Sequence, residues 1–195
     1  MNALYRTFAL CALTLSASAF ADWSLDDKQS TVNFVSIKKD SVGEVHQFKQ
    51  LSGNIDADGT ATLSVALASV DSGIAIRDER MQKFLFETTK FATAEINVKF
   101  PAKVLAAMKT GDSRVLDVDA TVSLHGKSVE QTWPLTVIKT KAGGVRVLTH
   151  KPVLINAADF DLTGGIAKLK ELAALPSIAT SVPVTVDLSF SDKTP

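Results

Sequence analysis

The side chains that could do chemistry in this 195-residue sequence are few and scattered. Its three histidines, His46, His125 and His150, lie far apart, and none falls in a zinc-binding H-E-x-x-H helix or a nucleophile elbow. They read as surface or satisfied structural residues. The only cysteine, Cys11, stands in an apolar N-terminal run, so a zinc site lacks its usual ligands and no thiol chemistry is expected. Asp56-Ala57-Asp58-Gly59 resembles the start of a calcium loop, but the position that should carry the liganding glutamate is Val65, and a hairpin turn explains the run better. No metal and no cofactor are called for. The tightest charge cluster is Arg77-Asp78-Glu79-Arg80 with Lys83 close behind. It reads either as a solvated face with a local salt bridge or as the rim of a pocket, where guanidinium forks hold a polar or anionic ligand head. Phe84, Leu85 and Phe86 next to it would give that rim an apolar side suited to an amphiphile.

The elements that must position these residues are mostly strands. Leu116, Val118, Ala120, Val122 and Leu124 alternate with Asp117, Asp119, Thr121 and Ser123, which puts one face of a strand in a core and the other in water. The same period runs through Val32 and Phe34, through Leu63, Val65 and Leu67, and through Ile96, Val98 and Phe100. It returns in Trp133, Leu135 and Val137, in Val145 and Val147, in Val153 and Ile155, and in Val184 to Phe190. Asp58-Gly59, Gly111-Asp112, Gly126-Lys127 and Gly143-Gly144 supply the turns between them. About eight single-faced runs with short loops predict a mainly β protein of antiparallel strands, closed as a barrel or packed as a sandwich. Two stretches break the period. Ile76 to Phe86 fits a short helix or a loop crossing an open end, and Ile166 to Leu175, between Gly164-Gly165 and Pro176, fits an amphipathic helix.

Hydrophobic residues make up 46% of the chain, a figure raised by residues 1–21. Arg6, the apolar run from Phe8 to Leu15 and the small residues of Ala19-Phe20-Ala21 read as a signal peptide cleaved after Ala21. That leaves residues 22–195 as one domain, exported to the periplasm, with no integral membrane segment. The apolar run is well short of the roughly 20 residues a spanning helix needs. Lys and Arg number 21 against 21 Asp and Glu, so no nucleic acid partner is expected, because affinity for phosphate backbones comes from an excess of cations. A transmembrane barrel would carry aromatic girdles, and beyond the leader this chain has no Tyr and only Trp23 and Trp133 as Trp. A soluble barrel is favoured. An eight-stranded barrel is wide enough either to be filled by its own side chains or to hold one small elongated ligand, and periodicity leaves both open.

The ordered fragments across the chain resemble the YceI-like family of secreted bacterial proteins. They are Trp23-Ser24-Leu25-Asp26, Gln29 to Phe34, Phe48 with Leu51 and Gly53, Val70-Asp71-Ser72-Gly73, Arg77-Asp78, Phe84-Leu85-Phe86, Val122 to Gly126, Trp133-Pro134-Leu135 and Ile155 to Phe160. The resemblance implies a lipocalin-like barrel whose interior holds an isoprenoid or another long fatty amphiphile, with no catalytic residue. The inward residues expected to touch it are Val32, Phe34, Phe48, Leu63, Leu67, Ile96, Val98, Val122 and Leu135, with Arg77 and Asp78 at the mouth. Two departures stand out: the last fragment commonly has arginine where this chain has Ala157 and glycine where it has Asp161. The alternatives are a stress or interaction protein with a filled barrel, and a lipid-modifying isomerase or lyase using His125 or Asp78 as base. The sequence leaves a homodimer open.

Overall fold

The computed structural model describes residues 23–192; the expected leader lies outside them. Twelve strands form one antiparallel sheet, yet they make only eight staves. β1 (Trp23–Leu25) continues as β2 (Thr31–Lys38), β3 (Val42–Phe48) as β4 (Leu51–Ile55), β5 (Thr60–Ala66) as β6 (Val70–Asp71), and β10 (Val145–Thr149) as β11 (Val153–Asn156). β7 (Thr93–Lys99), β8 (Ser113–Leu124), β9 (Lys127–Lys139) and β12 (Ser181–Asp192) are unbroken. Pairing of β1 with both β4 and β12 closes the ring through β5, β7, β8, β9 and β10. Of the two architectures alternation allowed, the chain adopts the closed barrel of eight staves with few short helices.

Hydroxyl and carboxylate side chains take up the amides released where staves break. Ser30 Oγ accepts from Ser189 N at 3.0 Å, and Asp27 Oδ1 accepts from Leu51 N at 2.8 Å. Ser69 Oγ accepts from both Lys49 N and Gln50 N, at 3.1 and 3.0 Å. Buried amides without such partners would each cost roughly 1–3 kcal/mol. Three of the four breaks fall side by side, at residues 26–30, 49–50 and 67–69, so a sheet that is tightly closed at one end bends and flares toward the other.

Among the described residues three α-helices accompany the strands. α1 (Ala75–Arg80) runs straight into a π-helical turn, Met81–Leu85, in the stretch that broke the strand period. α2 (Ala102–Ala107) follows β7 and buries Leu105. α3 (Thr163–Leu172) begins before the glycine pair that was expected to precede it. A Cβ on Gly165 would stand 2.6 Å from Phe84 O and 2.8 Å from Leu85 Cα, so the glycine is in the helix to let it lie directly on the π turn. Among the described residues no helix is long and apolar enough to cross a membrane.

Candidate ligand cavity

Strand alternation places Val32, Phe34, Ser36 and Lys38 on one face of β2, and the register sets Phe34 opposite His46 and Ser36 opposite Glu44 on β3. The inward stripe therefore passes from apolar to polar along its length. Rings continue it across the wall: His46 to Phe34 at 5.0 Å between centroids, Phe34 to Phe48 at 5.4 Å, Phe48 to Phe86 at 5.8 Å, all tilted. Such offsets are the favoured geometry for aromatic pairs and make the wall rigid.

Three adjoining spaces follow this gradient. At the tightly closed end a void of about 30 Å³ remains among Leu63, Val98, Phe100, Leu135, Leu188 and Phe190. Midway, a cavity of about 130 Å³ is walled by Val32, Phe34, Phe48, Leu67, Ile96 and Val122, with Ala157 and Ile166 also on it. It is bordered by almost no polar surface. Toward the flared end a larger cavity of about 340 Å³ carries Ser36, Lys38, Glu44, His46, Arg77 and Arg80 beside apolar residues from α3. Ile96 and Trp133 border both inner spaces, and Phe34, Leu85, Ile166 and Val182 border both outer ones. All nine residues expected to face inward thus line the interior, including Leu67, which sits in a 3-10 turn rather than in its strand.

The two expected mouth residues part company. Arg77 lines the outer cavity, but its guanidinium is already engaged: NH1 donates to Glu44 Oε2 at 2.8 Å, Nε to Ser72 Oγ at 2.7 Å and NH2 to Ser72 O at 2.6 Å. Asp78 is not on the cavity wall; its Oδ1 accepts from Ser72 N at 2.9 Å and helps hold the turn before α1. Lys38 Nζ also meets Glu44 Oε2 at 2.8 Å, and this contact, with Arg77 adding to it, holds the Glu44 carboxyl below its ordinary range. Arg80 NH1 donates to Leu172 O at 3.3 Å, tying α1 to the end of α3. α3 itself presents Ile166 and Leu169 to the cavity, so it forms one wall of the flared end.

Each histidine has a separate fate. His150 is exposed, with Nδ1 3.2 Å from Thr136 Oγ1. His125 has both nitrogens occupied, Nδ1 by Phe160 O at 3.2 Å and Nε2 by Glu87 Oε2 at 3.0 Å, and its ring packs on Phe91. It pins three turns together, two of them at the left-handed residues Glu87 and His125. Asp161 is left-handed too, at φ 58°, the conformation that the glycine common at this position adopts without strain. His46 departs from expectation. It is 3% exposed, lines the outer cavity and bonds Ser36 Oγ through Nε2 at 2.7 Å, while its Nδ1 is buried with no partner.

Sequence reasoning missed Ser36, Lys38, Glu44 and His46. The signal was present as their shared parity with Val32, Phe34 and Phe48, but it was carried by polar residues and β3 was not recognised as a strand.

Residues 23–190 match the model of the YceI-like domain family. A polyisoprenoid-binding domain from Saccharophagus degradans, implicated in plant cell wall breakdown, is 39% identical, with a TM-score of 0.85 over 87% of this chain and 98% of that one. BcnA of Burkholderia cenocepacia shares the fold at 21% identity, with a TM-score of 0.65 over 85% of this chain and 98% of that one. The Campylobacter jejuni YceI protein does so at 15%, with a TM-score of 0.53 over 77% of this chain and 85% of that one. No protein of curated function matches the sequence. A family match spanning nearly all of the described barrel, and a relative of this identity covered almost end to end, place the chain in the YceI-like family.

Proposed function

We propose that this protein binds one long-chain amphiphile, an isoprenoid or a fatty chain, inside the barrel and carries or stores it in the periplasm. The observation that carries the proposal is the pair of adjoining outer cavities, apolar inside and polar only toward the flared end. A side-chain-filled barrel would not leave them. Each methylene moved from water into such a space contributes about 0.8 kcal/mol, so a long chain is held without any catalytic group. The 39% identical domain from Saccharophagus degradans, a polyisoprenoid binder, supports the same ligand class.

In this reading the chain of the ligand lies against Val32, Phe34, Phe48, Leu67, Ile96 and Val122, with Leu63, Val98 and Leu135 below its tip. Arg77 shapes the polar rim together with Glu44; Asp78 is not retained as a contact. Binding without turnover is favoured over an isomerase or lyase because His125, the better candidate base, has both nitrogens occupied. Periplasmic location rests on residues 1–21 reading as a cleaved leader. A water-soluble barrel rests on side-chain polarity: β8 turns Asp117 and Asp119 outward to solvent, the reverse of a barrel embedded in lipid.

Native mass spectrometry and organic extraction of the protein purified from its own host test this directly. A co-purifying lipid of one chain per barrel is expected. Trp133 borders both inner cavities, so adding geranylgeraniol to stripped protein should also shift tryptophan emission. A lipid-free protein whose emission no isoprenoid or fatty amphiphile alters would refute the proposal.

A further inference from the structure

We propose that the outer cavity selects amphiphiles with an anionic head, a phosphate or a carboxylate, and that Arg80 holds it, an inference that rests on the barrel being an amphiphile carrier. Lys38, Arg77 and Arg80 line this cavity against a single carboxylate, Glu44. That carboxylate is already shared, since Lys38 Nζ and Arg77 NH1 both end on its Oε2 at 2.8 Å. Of the neighbouring acids, Asp78 is bonded to Ser72 N and Glu79 is exposed, and neither is on the wall. The polar end of the cavity therefore carries two positive charges in excess.

Arg80 differs from the other two cations in what it is bonded to. Arg77 has Nε, NH1 and NH2 all engaged. Arg80 is half-buried, and among the described residues it makes no ion pair; the only hydrogen bond of its side chain is the 3.3 Å one from NH1 to Leu172 O. That bond sets the guanidinium at the end of α3, the helix whose Leu169 lines the same cavity together with the capping Ala173. A guanidinium carries several N–H donors in a planar fork, so most of the Arg80 fork is left for an oxyanion, which it matches bidentately.

Phe34, Leu85, Ile166 and Val182 border both outer cavities, so a chain whose head sits at Arg80 passes between them into the apolar space. An uncharged head would displace water from the cations and give no counter-charge in return, and a charge stripped of water without a partner is costly. An anionic head removes that cost and adds charge-assisted hydrogen bonds, which are stronger than neutral ones. Affinity then comes from the chain and selectivity from the rim.

Two pairs of probes, each matched in carbon chain, test this on the stripped protein: geranylgeranyl monophosphate against geranylgeraniol, and palmitate against hexadecanol, with affinities from tryptophan emission at pH 8. In at least one pair the anion should bind about tenfold or more tightly than its alcohol, and the pair that shows the preference names the head. Arg80→Gln, which keeps a donor for Leu172 O and removes the charge, should bring that ratio below about threefold while leaving the alcohol's affinity within about twofold. Arg80→Lys, which keeps the charge without the fork, should retain part of the preference. Arg114→Gln, at an exposed position of β8 away from the cavity, should leave it unchanged. Alcohols that bind as tightly as their anions in both pairs, a ratio undiminished in Arg80→Gln, or an equal fall in Arg114→Gln would overturn the anion site while leaving the carrier reading intact. Binding of none of the four probes would instead remove the carrier reading. Should Arg80→Gln fail to fold, ¹⁵N-arginine spectra of the unaltered protein decide: the Arg80 Nε–H resonance should move downfield on adding the preferred anion and not on adding its alcohol, and the same response to both would overturn the site.

Discussion

At the end of the barrel around Ile55, Phe100 and Phe190 the interior is packed to a remnant void of about 30 Å³, while at the opposite end the same eight staves surround cavities of about 130 and 340 Å³. Both ends are built from alternating strands, and both face inward with Val, Leu, Ile and Phe. They differ in what closes them. At the packed end β1 is hydrogen-bonded to both β4 and β12, Ile55 and Val137 are fully buried, and α2 and the residue that caps it add Leu105 and Met108 to the core. At the flared end β3 meets β6 over only two residue pairs, and the remaining gap is spanned by Arg77, α1 and α3 rather than by a strand. Hydrogen-bonded closure leaves no room between side chains, whereas closure by helices laid across the opening leaves a space whose size their side chains decide.

Substitutions placed in pairs, one at each end, can break this contrast. Ile55→Ala empties a site that is fully buried and should cost about 2–5 kcal/mol in urea unfolding. Ile166→Ala, between the two outer cavities, should cost less than about 2 kcal/mol, because the lost contacts are fewer. Equal losses would mean that the two ends are packed alike. The reverse swap is next in size. Ala61→Phe at the packed end should destabilise by about 1–3 kcal/mol through overpacking. Ala157→Phe, facing the central cavity, should change stability by less than about 1 kcal/mol and lower affinity for geranylgeraniol at least about tenfold, as it fills the space the chain would use.

Gly165→Ala sharpens the role of α3. Its new methyl would collide with Phe84 O and Leu85 Cα, so α3 should lift from the π turn at a cost of about 1 kcal/mol or more. Faster amide exchange confined to residues 163–172 is the signature; exchange unchanged there would show that the helix is not held by that contact.

The smallest effect is on acidification. His46 is held below its ordinary value by burial, so its contribution to stability is present above about pH 6.5 and is lost as pH falls toward its folded value. Glu44 is held below 4.5 by its bond to Lys38, and its contribution is present above that pH and lost as pH falls through its own folded value. At the packed end Asp58, bonded to Lys99 and to Thr60, is held down to about 2 from 3.8, so what it adds is lost only below about pH 4. The flared end should therefore loosen first. Amide exchange in β2 and β3 should quicken between pH 7 and 5 while the β4–β5 hairpin stays protected, and His46→Phe should abolish that difference.

How much of this was legible depended on whether a residue's parity and its chemistry agreed. In β8 they agree, with Val118, Ala120 and Val122 buried and Asp117 and Asp119 exposed, and the strand was readable at once. In β3 they conflict. Val45 is 69% exposed while His46 beside it is buried, so the polar residue points inward and the apolar one outward, and the strand escaped notice. α2 is too short for a period to declare itself. Gly164 and Gly165 looked like punctuation before a helix because glycine usually weakens one, and only the approach of α3 to the Leu85 backbone explains the place of Gly165 inside it.

By itself the sequence determined the mainly β architecture, the apolar interior and the family, because period-two alternation and ordered local motifs are properties of neighbouring residues. Eight of the nine inward residues followed from the same parity, and Phe48 from the family resemblance. Tertiary structure alone decided which end is packed and which is open, since parity assigns a face and says nothing of depth along the barrel. It also decided that Arg77 is committed to Glu44, 33 residues away, and that His46 is left with a buried, unpaired nitrogen. Charge pairing and burial arise from groups brought together by strand register and by the helices over the opening, and neither exists until the chain has closed on itself.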